Sequence, residues 1–352
     1  MLSQRLTSLT PYVPGEQPQD RAYIKLNTNE NPYPPSPRVA EIVAATDVEV
    51  LRRYPDPLFT HLRARIASRY NVRPEQVFAG NGSDEVLSFI FFAFFDSTVG
   101  GPLRFPEHTY SFYPVYCDFY GIAHEHVPMA PDFGIDLTPY LSGGACGVIF
   151  ANPNAPTGMA LPRKAIADFL SRYPDDRVVV VDEAYVDFGA ESALPLIHQH
   201  PNLLVVRTLS KSMSLAGIRL GFAMGSQPLI DALYTTKDAF NSYPLGTLTQ
   251  KIGAAAMDEA EYFENITQAI VATREKFSAD MTALGWEVLP SAANFVFARR
   301  PATDGRTIYQ YLKENGILVR HFDKPGISDF VRITIGTNEE MAACVAALSR
   351  GF

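Results

Sequence analysis

Four segments of the sequence place reactive side chains directly after predicted strands. They lie at 80–85, 152–158, 182–185 and 210–211. In open α/β sheets, binding sites lie beyond the carboxyl ends of the strands, so we expect these segments to meet at one edge of a sheet. That edge would present an amine, a carboxylate, a phenol, an amide and a helix N-terminus able to bind an anion.

Each of these residues has an ordinary interpretation when it is considered alone. Asp182 would cap a helix, Ser83 would cap the helix that follows GNGSDE, and Lys211 would be a solvated surface lysine. Their combination favours a site instead, because one known cofactor requires all of these groups together.

That cofactor is pyridoxal 5'-phosphate (PLP). Its aldehyde reacts with a lysine that is neutral near pH 7, a state that partial desolvation favours. Its pyridine nitrogen needs a carboxylate such as Asp182 to stay protonated. Its phosphate needs backbone N–H groups at a helix start and an arginine, which GNGSDE and Arg219 supply. The residues therefore indicate a PLP enzyme with Lys211 as the attachment point.

The segments that position these residues alternate between strand-like and helical patterns. We predict strands at 75–79, 147–151, 178–181 and 203–207, an apolar helix from residue 86 and an amphipathic helix at 163–173. The four consecutive valines at 178–181 are typical of a parallel strand that is buried on both faces. This order of elements favours an α/β domain with a large, mostly parallel sheet between helices.

The pattern divides the chain into three regions. Residues 1–45 are interpreted as an N-terminal arm that packs on its own domain or on a neighbouring subunit, 46–247 as the large α/β domain, and 248–352 as a smaller α+β domain. For the last region we predict one long helix at 248–284, strands at 286–289, 295–297, 317–320 and 330–334, and helices at 307–315 and 339–349.

Composition restricts the partners and the compartment. A formal net charge of −8 argues against nucleic acid or an anionic membrane as the main partner. The three cysteines are scattered and form no C-x-x-C pair, which fits a reducing compartment, and the N-terminus lacks the apolar core of a signal peptide. The histidines have no ligand-spaced carboxylate or cysteine, so we expect no metal site. We expect a cytoplasmic location.

Several motifs carry a resemblance to a known family. TLSKSMSLAGIRLGF and VVVVDEAYVDF resemble the lysine and aspartate–tyrosine segments of fold type I PLP-dependent aminotransferases. PYVPGEQP, LNTNENPYPPSP, RRYPD, GNGSDEVL, TYSFYPVY, GILVRHF and FVRITIGT resemble the histidinol-phosphate aminotransferase subgroup. The resemblance extends over nearly the whole chain. It implies transamination between L-histidinol phosphate and 2-oxoglutarate, giving imidazole acetol phosphate and L-glutamate, in histidine biosynthesis.

The resemblance also implies a role for each cofactor-binding residue. Lys211 binds the cofactor covalently and shuttles a proton, Asp182 pairs with the pyridine nitrogen, and Tyr185 hydrogen-bonds the ring 3'-oxygen. Tyr110 lies against the ring. Tyr54 reaches the cofactor phosphate of the other subunit, so the family's homodimer is implied. The residues that hold the phosphate within the same subunit are Ser83, Asp84, Ser210 and Arg219.

One position departs from the family pattern, because Ala155 stands where an asparagine usually contacts the ring oxygen. Asn154, one residue earlier, is our candidate for that contact.

Substrate binding rests on two arginines in the resemblance. Arg332 matches the position that binds the carboxylate of the amino donor, and Arg320 matches the one that helps to hold the phosphate of histidinol phosphate. Tyr12 and Asn31 of the arm would close over the substrate, unless the arm has only a packing role.

Three other functions stay open at this point. An aminotransferase for aromatic amino acids would use the same two arginines, and a PLP-dependent decarboxylase of phosphorylated amino acids would have the same fold. A PLP-binding regulator would need an added DNA-binding domain, for which the chain has no basic helix-turn-helix segment to spare. Fold alone does not choose among these functions.

Overall fold

The computed structural model describes residues 2–7 and 9–352. Its α-helices are α1 (Gln4–Thr7), α2 (Pro37–Ala45), α3 (Thr60–Tyr70), α4 (Gly82–Phe94), α5 (Ser97–Gly100), α6 (Phe112–Tyr120), α7 (Arg163–Leu170), α8 (Gln227–Phe240), α9 (Thr247–Met257), α10 (Ala260–Ala283), α11 (Gly305–Glu314) and α12 (Asn338–Gly351). Short 3₁₀ helices lie at Val48–Arg52, Pro74–Gln76, Thr138–Leu141, Val186–Phe188, Leu194–His198 and Ala216–Ile218.

The strands are β1 (Ile24–Lys25), β2 (Val77–Asn81), β3 (Leu103–Pro106), β4 (His124–Val127), β5 (Gly147–Ala151), β6 (Val178–Asp182), β7 (Leu203–Thr208), β8 (Leu220–Gly225), β9 (Glu287–Val288), β10 (Phe295–Arg299), β11 (Ile317–Leu318), β12 (Arg320–His321) and β13 (Val331–Thr334). Seven of them form one sheet in the order β2-β8-β7-β6-β5-β3-β4. Strand β8 is antiparallel to both of its neighbours, and the other pairs are parallel. The prediction of a large, mostly parallel α/β sheet is confirmed.

The sheet separates two apolar cores, because successive side chains of a strand point to opposite faces. In β6, Val179 and Val181 enter the core that contains α3, α7 and α9, whereas Val178 and Val180 enter the core that contains α4, α6 and α8. Strands β5, β6 and β7 are buried at every position. This double burial explains the run of four valines.

A smaller α+β unit, formed by α10–α12 and β9–β13, follows the sheet. Its four-stranded sheet has the order β12-β13-β10-β9 and is antiparallel throughout. Its core includes Ile270, Ile308 and Ile333, and also Leu26 from the arm. Next to Leu26, β1 pairs in parallel with β11, with Ile24 opposite Ile317. The arm therefore forms part of the small unit at this point.

The prediction of a single long helix at 248–284 is wrong, because the structure has two helices there, α9 and α10. Glu259 leaves the helical conformation, with φ −98° and ψ 41°. Helix α9 packs on α2 and α3, and its Ile252 and Met257 belong to the core of the large sheet. Residues of α10 from Ile270 onward belong to the small core. Since Phe263 and Ile266 of α10 still pack in the core of the large sheet, we propose that the domain boundary lies inside α10, about twenty residues beyond the one expected from the sequence.

No helix in the described part of the chain is long and apolar enough to cross a membrane.

Candidate active site

A cavity opens at the carboxyl edge of the large sheet, between the sheet, the arm and the small unit. The predicted site residues that line it are Tyr12, Ser83, Asp84, Tyr110, Asp182, Tyr185, Ser210, Lys211, Arg219, Arg320 and Arg332. Strand register brings the central ones together, since Asp182 at the end of β6 pairs with Ala151 of β5 and Val206 of β7. The prediction that several strand ends meet at one edge is confirmed.

Two glycines allow α4 to begin against β8. At Gly221, which pairs with Thr208, a Cβ atom would lie 2.3 Å from the backbone nitrogen of Ser83. At Gly82, which has φ +80°, a Cβ atom would lie 2.5 Å from the guanidinium of Arg219. These close approaches place the first amides of α4 beside Ser210 and Arg219, as an anion-binding group requires.

The side chain of Asp84 is already occupied within this group. Its carboxylate accepts hydrogen bonds from the Tyr110 hydroxyl and from Arg219 Nη2, both at 2.9 Å. Its backbone carbonyl accepts the Tyr116 hydroxyl at 2.7 Å. Burial and the charge of Asp84 raise the pKa of Tyr110 well above its usual value, so the phenol stays neutral. Asp84 is thus left with its backbone amide to offer an anion.

Asp182 is a buried carboxylate that faces the cavity with neutral partners. The Tyr113 hydroxyl donates to Asp182 Oδ2 at 2.9 Å, and the Ala184 amide donates to Oδ1 at 3.2 Å. Burial raises the pKa of Asp182 to about 6, although these two hydrogen bonds oppose the rise. A positively charged N–H group in the cavity would therefore find a carboxylate without a cationic partner among the described residues.

Lys211 reaches the same cavity from the loop after β7. Its Nζ atom lies 3.3 Å from the carbonyl oxygen of Thr28 and 5.8 Å from the ring centroid of Tyr185. The backbone carbonyl of Lys211 accepts a hydrogen bond from Asn31 Nδ2 at 2.9 Å. Within residues 2–7 and 9–352, no carboxylate forms an ion pair with Lys211, so its amine is available to a ligand.

Two arginines of the small unit complete the cavity. Arg332 donates to the carbonyl of Asn27 at 3.0 Å, but its Nε atom is buried without a partner. Burial lowers the pKa of Arg332, and no acidic side chain in the described ranges pairs with it. Arg320 donates instead to the carbonyls of Val13 and Pro14 in the arm, at 2.9 and 3.1 Å. A buried cation without a counter-ion is a binding site for an anion.

Three of the predicted site residues do not line the cavity. Tyr54 is 83% exposed and stacks on Tyr243 at a centroid distance of 4.7 Å. Asn31 holds the backbone of the lysine loop, as described above. Asn154 is fully buried: it accepts from Thr109 at 2.9 Å and donates to the carbonyl of His108 at 2.8 Å. Asn154 is therefore not placed to contact a ring oxygen in the cavity, which Ala155 lines instead.

Sequence reasoning missed Asn29 and Tyr113. Asn29 lines the cavity and donates to the Tyr185 hydroxyl at 2.9 Å, and Tyr113 holds Asp182. Both lie inside motifs that carry the family resemblance, LNTNENPYPPSP and TYSFYPVY. Their partners are 156 and 69 residues away, so only the fold could reveal what they bind.

These residues fit PLP. Lys211 can bind its aldehyde, Asp182 its pyridine nitrogen, and the start of α4 with Ser210 and Arg219 its phosphate. The buried Asp182 and the partnerless Nε of Arg332 are the structural observations that require ligands of opposite charge. In the part of the chain that the structure describes, no cluster of His, Cys, Asp and Glu side chains is arranged to hold a metal ion.

Comparison with known proteins agrees with this interpretation. A family model described as aminotransferase class I and II matches residues 21–348. Histidinol-phosphate aminotransferase from Syntrophus aciditrophicus (strain SB) is 57% identical over 355 residues, covering 100% of this chain and 98% of that protein. Histidinol-phosphate aminotransferase 1 from Bordetella parapertussis is 54% identical over 347 residues, covering 98% of this chain and 97% of that protein.

A solved structure provides the comparison at the level of the fold. Histidinol-phosphate aminotransferase from Sinorhizobium meliloti in complex with pyridoxal-5'-phosphate superposes with a TM-score of 0.89 and 25% identity, covering 99% of this chain and 96% of that one. The predicted fold class and the resemblance read from the motifs are confirmed. By the family model and by its identity to these relatives, this chain belongs to the aminotransferase class I and II family.

Proposed function

We propose that this protein is a histidinol-phosphate aminotransferase. It would transfer the amino group between L-histidinol phosphate and 2-oxoglutarate, giving imidazole acetol phosphate and L-glutamate, a step in histidine biosynthesis. Relatives at 54–57% identity over nearly the whole chain carry that name. The structural observation that carries the proposal is the cation of Arg332, which has no acidic partner among the described residues and lines the cavity of Lys211 and Asp182. Such a cavity suits an anionic amine as substrate.

The protein is a PLP-dependent aminotransferase, and its own residues determine what the cofactor does. When bound, PLP supplies an electron-accepting ring that stabilises negative charge at the reacting carbon of the substrate. Lys211 would anchor the cofactor, and once the substrate amine has displaced it, the freed Lys211 amine would take a proton from that carbon and return it on the cofactor side. Asp182 would keep the ring nitrogen protonated, and Tyr185 would donate a hydrogen bond to the ring 3'-oxygen.

The remaining roles follow from position. The amides of Ser83 and Asp84, with Ser210 and Arg219, would hold the cofactor phosphate, and Tyr110 would lie against the ring. Arg332 and Arg320 would bind the phosphate of histidinol phosphate in one half-reaction and carboxylates of glutamate or 2-oxoglutarate in the other, since a guanidinium binds both kinds of anion. Tyr12 would cover the bound substrate, and Asn31 would act through the lysine loop.

We also propose a homodimer in which Tyr54 completes the site of the other subunit. Tyr54 stacks on Tyr243, and three further exposed apolar side chains lie within four residues of one or the other in the sequence, namely Leu51, Leu58 and Phe240. Exposed apolar side chains of this kind suit a subunit interface.

We also propose a cytoplasmic location, because the three cysteines are unpaired and buried.

The test is the first half-reaction, followed by absorbance. PLP-loaded protein is mixed with histidinol phosphate and no keto acid, and we expect the visible band of the bound cofactor to convert to that of its amine form. Phenylalanine should react at least about 100-fold more slowly. The Lys211→Ala variant should lose the visible band, and Arg332→Met should keep it while raising the histidinol phosphate concentration needed for half-conversion by about 100-fold.

The other outcomes point to specific alternatives. Prompt conversion with phenylalanine or tyrosine but not with histidinol phosphate would identify an aminotransferase for aromatic amino acids, in which Arg320 would have no substrate phosphate to bind. Release of carbon dioxide from O-phosphothreonine without a keto acceptor would identify a decarboxylase. A Lys211→Ala protein that retained the visible band would refute the assignment of Lys211.

A further inference from the structure

Asn29 connects three parts of the molecule through its hydrogen bonds. It is 1% exposed, and each kind of polar group that it carries has a partner. Its backbone N–H donates to Thr334 Oγ1 at 3.0 Å, and that hydroxyl donates to Asn29 Oδ1, also at 3.0 Å. Asn29 Nδ2 donates to the Tyr185 hydroxyl at 2.9 Å, and the Asn29 carbonyl accepts from Asn294 at 3.0 Å. The arm, the small unit and the sheet edge meet in this one residue.

These bonds fix the orientation of the Asn29 amide. Thr334 is buried, and its hydroxyl oxygen already accepts the backbone N–H of Asn29. Its single proton therefore needs an acceptor, which Asn29 Oδ1 provides. A flipped amide would leave that proton without an acceptor and would place two donors on one hydroxyl. The arrangement that satisfies all groups turns Nδ2 towards Tyr185.

The orientation of the amide sets the direction of the next hydrogen bond. Because Asn29 donates to the Tyr185 oxygen, the Tyr185 proton is not used in that bond and remains free for another acceptor. Asn29 is the one hydrogen-bond partner of this hydroxyl among the described residues. The apolar neighbours of Tyr185, Ala155 and Phe295, have no polar side-chain atom, so the proton is directed into the cavity that Tyr185 lines.

We propose that Asn29 is a positioning residue that acts through Tyr185, fixing the direction of the phenol hydrogen bond so that Tyr185 donates to the ring oxygen of PLP. Without the amide donor, the Tyr185 hydroxyl can rotate and divide its proton between several directions. With a carboxylate in place of the amide, the proton would turn away from the cofactor. The inference rests on the proposed function, since it assumes PLP in this cavity.

The proposal predicts the sign of a spectroscopic shift. A hydrogen bond donated to the ring oxygen reduces the negative charge that otherwise retains a proton at the bond between Lys211 and the cofactor. When the donor is weakened, that proton is held more tightly, and the visible absorbance of bound PLP changes at a higher pH. Two charged groups near Tyr185 are Lys211, at 5.8 Å from its ring, and Arg332, and the proposed variants leave both in place.

The experiment measures the midpoint of this absorbance change in the PLP-loaded protein without substrate. Asn29→Ala should raise the midpoint by about one pH unit, the size expected for one hydrogen bond to a charged oxygen. Asn29→Asp should raise it further. Thr334→Val, which removes the hydroxyl that orients the amide, should also raise it. Thr334→Ser keeps that hydroxyl and serves as the matched control with an unchanged midpoint.

A double variant separates the proposed role from a general structural one. Tyr185→Phe should raise the midpoint at least as much as Asn29→Ala, and adding Asn29→Ala to Tyr185→Phe should produce no further rise, because the effect passes through the hydroxyl. An Asn29→Ala midpoint equal to that of the wild type would overturn the proposal. A full additional rise in the double variant would do the same.

Two checks keep the result interpretable. The thermal melting of each variant without cofactor reports whether the arm still packs, and a variant that melts more than about 10 °C below the wild type is replaced by Asn29→Ser. Asn29→Ser shortens the side chain and removes the amide donor, so the same rise is expected from it. If wild-type protein with added PLP showed no visible band at all, the proposed function would fail, which differs from a normal band with an unshifted midpoint.

Discussion

The carboxylate of Asp182 has two neutral hydrogen-bond donors and lies in a buried position, where its pKa rises to about 6 from a usual value of 3.8. Between these two pH values the folded protein binds more protons than the unfolded chain does. The contribution of Asp182 to the stability of the protein without cofactor therefore falls as the pH rises through this range, and the loss is complete above about pH 6. The shift corresponds to about 3 kcal/mol.

Asp182→Asn should consequently stabilise the protein without cofactor at pH 7.5, by less than about 3 kcal/mol, because the amide carries no charge and its oxygen can accept the Tyr113 hydroxyl, whereas its NH2 group cannot accept the Ala184 N–H. The advantage should disappear below about pH 4, where both forms are neutral. Added PLP should stabilise the wild type more than the variant. Urea unfolding at pH 4 and 7.5, with and without PLP, measures all three effects; a variant less stable than the wild type at pH 7.5 would contradict this account.

For single residues, the sequence predicted which side chains reach the site when they follow a strand. It did not predict the positions of side chains that are held by partners far away in the sequence. Lys211, Asp182 and Arg219 are at strand ends or in the loop beside them, so the α/β pattern alone brings them to one edge. Asn154 also follows a strand, but its amide is used by Thr109 and His108. No local sequence pattern indicates which of the two neighbouring side chains, Asn154 or Ala155, faces the cavity. The role of Asn29 depends in the same way on Thr334, 305 residues later.

Among the elements, α4 begins in close backbone contact with β8. The amide of Ser83 can face a phosphate only while α4 begins against Gly221, where a Cβ atom would lie 2.3 Å from that amide nitrogen. The obstacle is backbone, which cannot rotate away as a side chain can. Any side chain at position 221 must therefore push the start of α4 away from β8.

Gly221→Ala should lower the affinity for PLP by at least about tenfold, because the displaced helix no longer presents its first amides to the phosphate. Gly217→Ala is the matched control, since a Cβ atom there meets nothing within 4 Å, and it should leave the affinity unchanged. Titration of the cofactor-free proteins with PLP, followed by absorbance, gives both values. Equal affinities in the two variants would mean that the contact between α4 and β8 does not determine phosphate binding.

The elements also show why one prediction failed. The apolar periodicity continues from α9 into α10 without a proline or glycine at residues 257–260, so the sequence offered no signal for a break. Helix α9 packs on α2 and α3, and α10 begins in the same core at Phe263 before it enters the small unit at Ile270. The change from one core to the other lies inside α10, between Ile266 and Ile270, so it does not mark the break at Glu259.

In the whole molecule, two parts of the N-terminal arm have different roles. Its part near Leu26 is built into the core of the small unit and pairs with β11. Its earlier part lies over the cavity, where Tyr12 lines the wall and the carbonyls of Val13 and Pro14 hold Arg320. The first task serves stability and the second serves the site.

Deletion of residues 2–15 should therefore lower kcat/KM by about tenfold or more while the melting temperature changes by no more than about 3 °C. Leu26→Ala is the contrasting variant, expected to cost about 2–4 kcal/mol of stability because it leaves a hole in a filled core. Steady-state kinetics and thermal melting distinguish the two. A large loss of stability from the deletion would show that the earlier part of the arm is structural as well.

The pairing of β1 with β11 sets the order in which the molecule can be completed during its synthesis. Ile24 emerges from the ribosome early, but its partner Ile317 is 293 residues further along the chain. Until that point the strand and Leu26 have no surface to join, and Arg332 has not yet been added. The large sheet can form earlier, since its last strand ends at Gly225. A nascent chain therefore has to hold its first segment unpaired through most of translation, and the cavity can close only when synthesis is nearly finished.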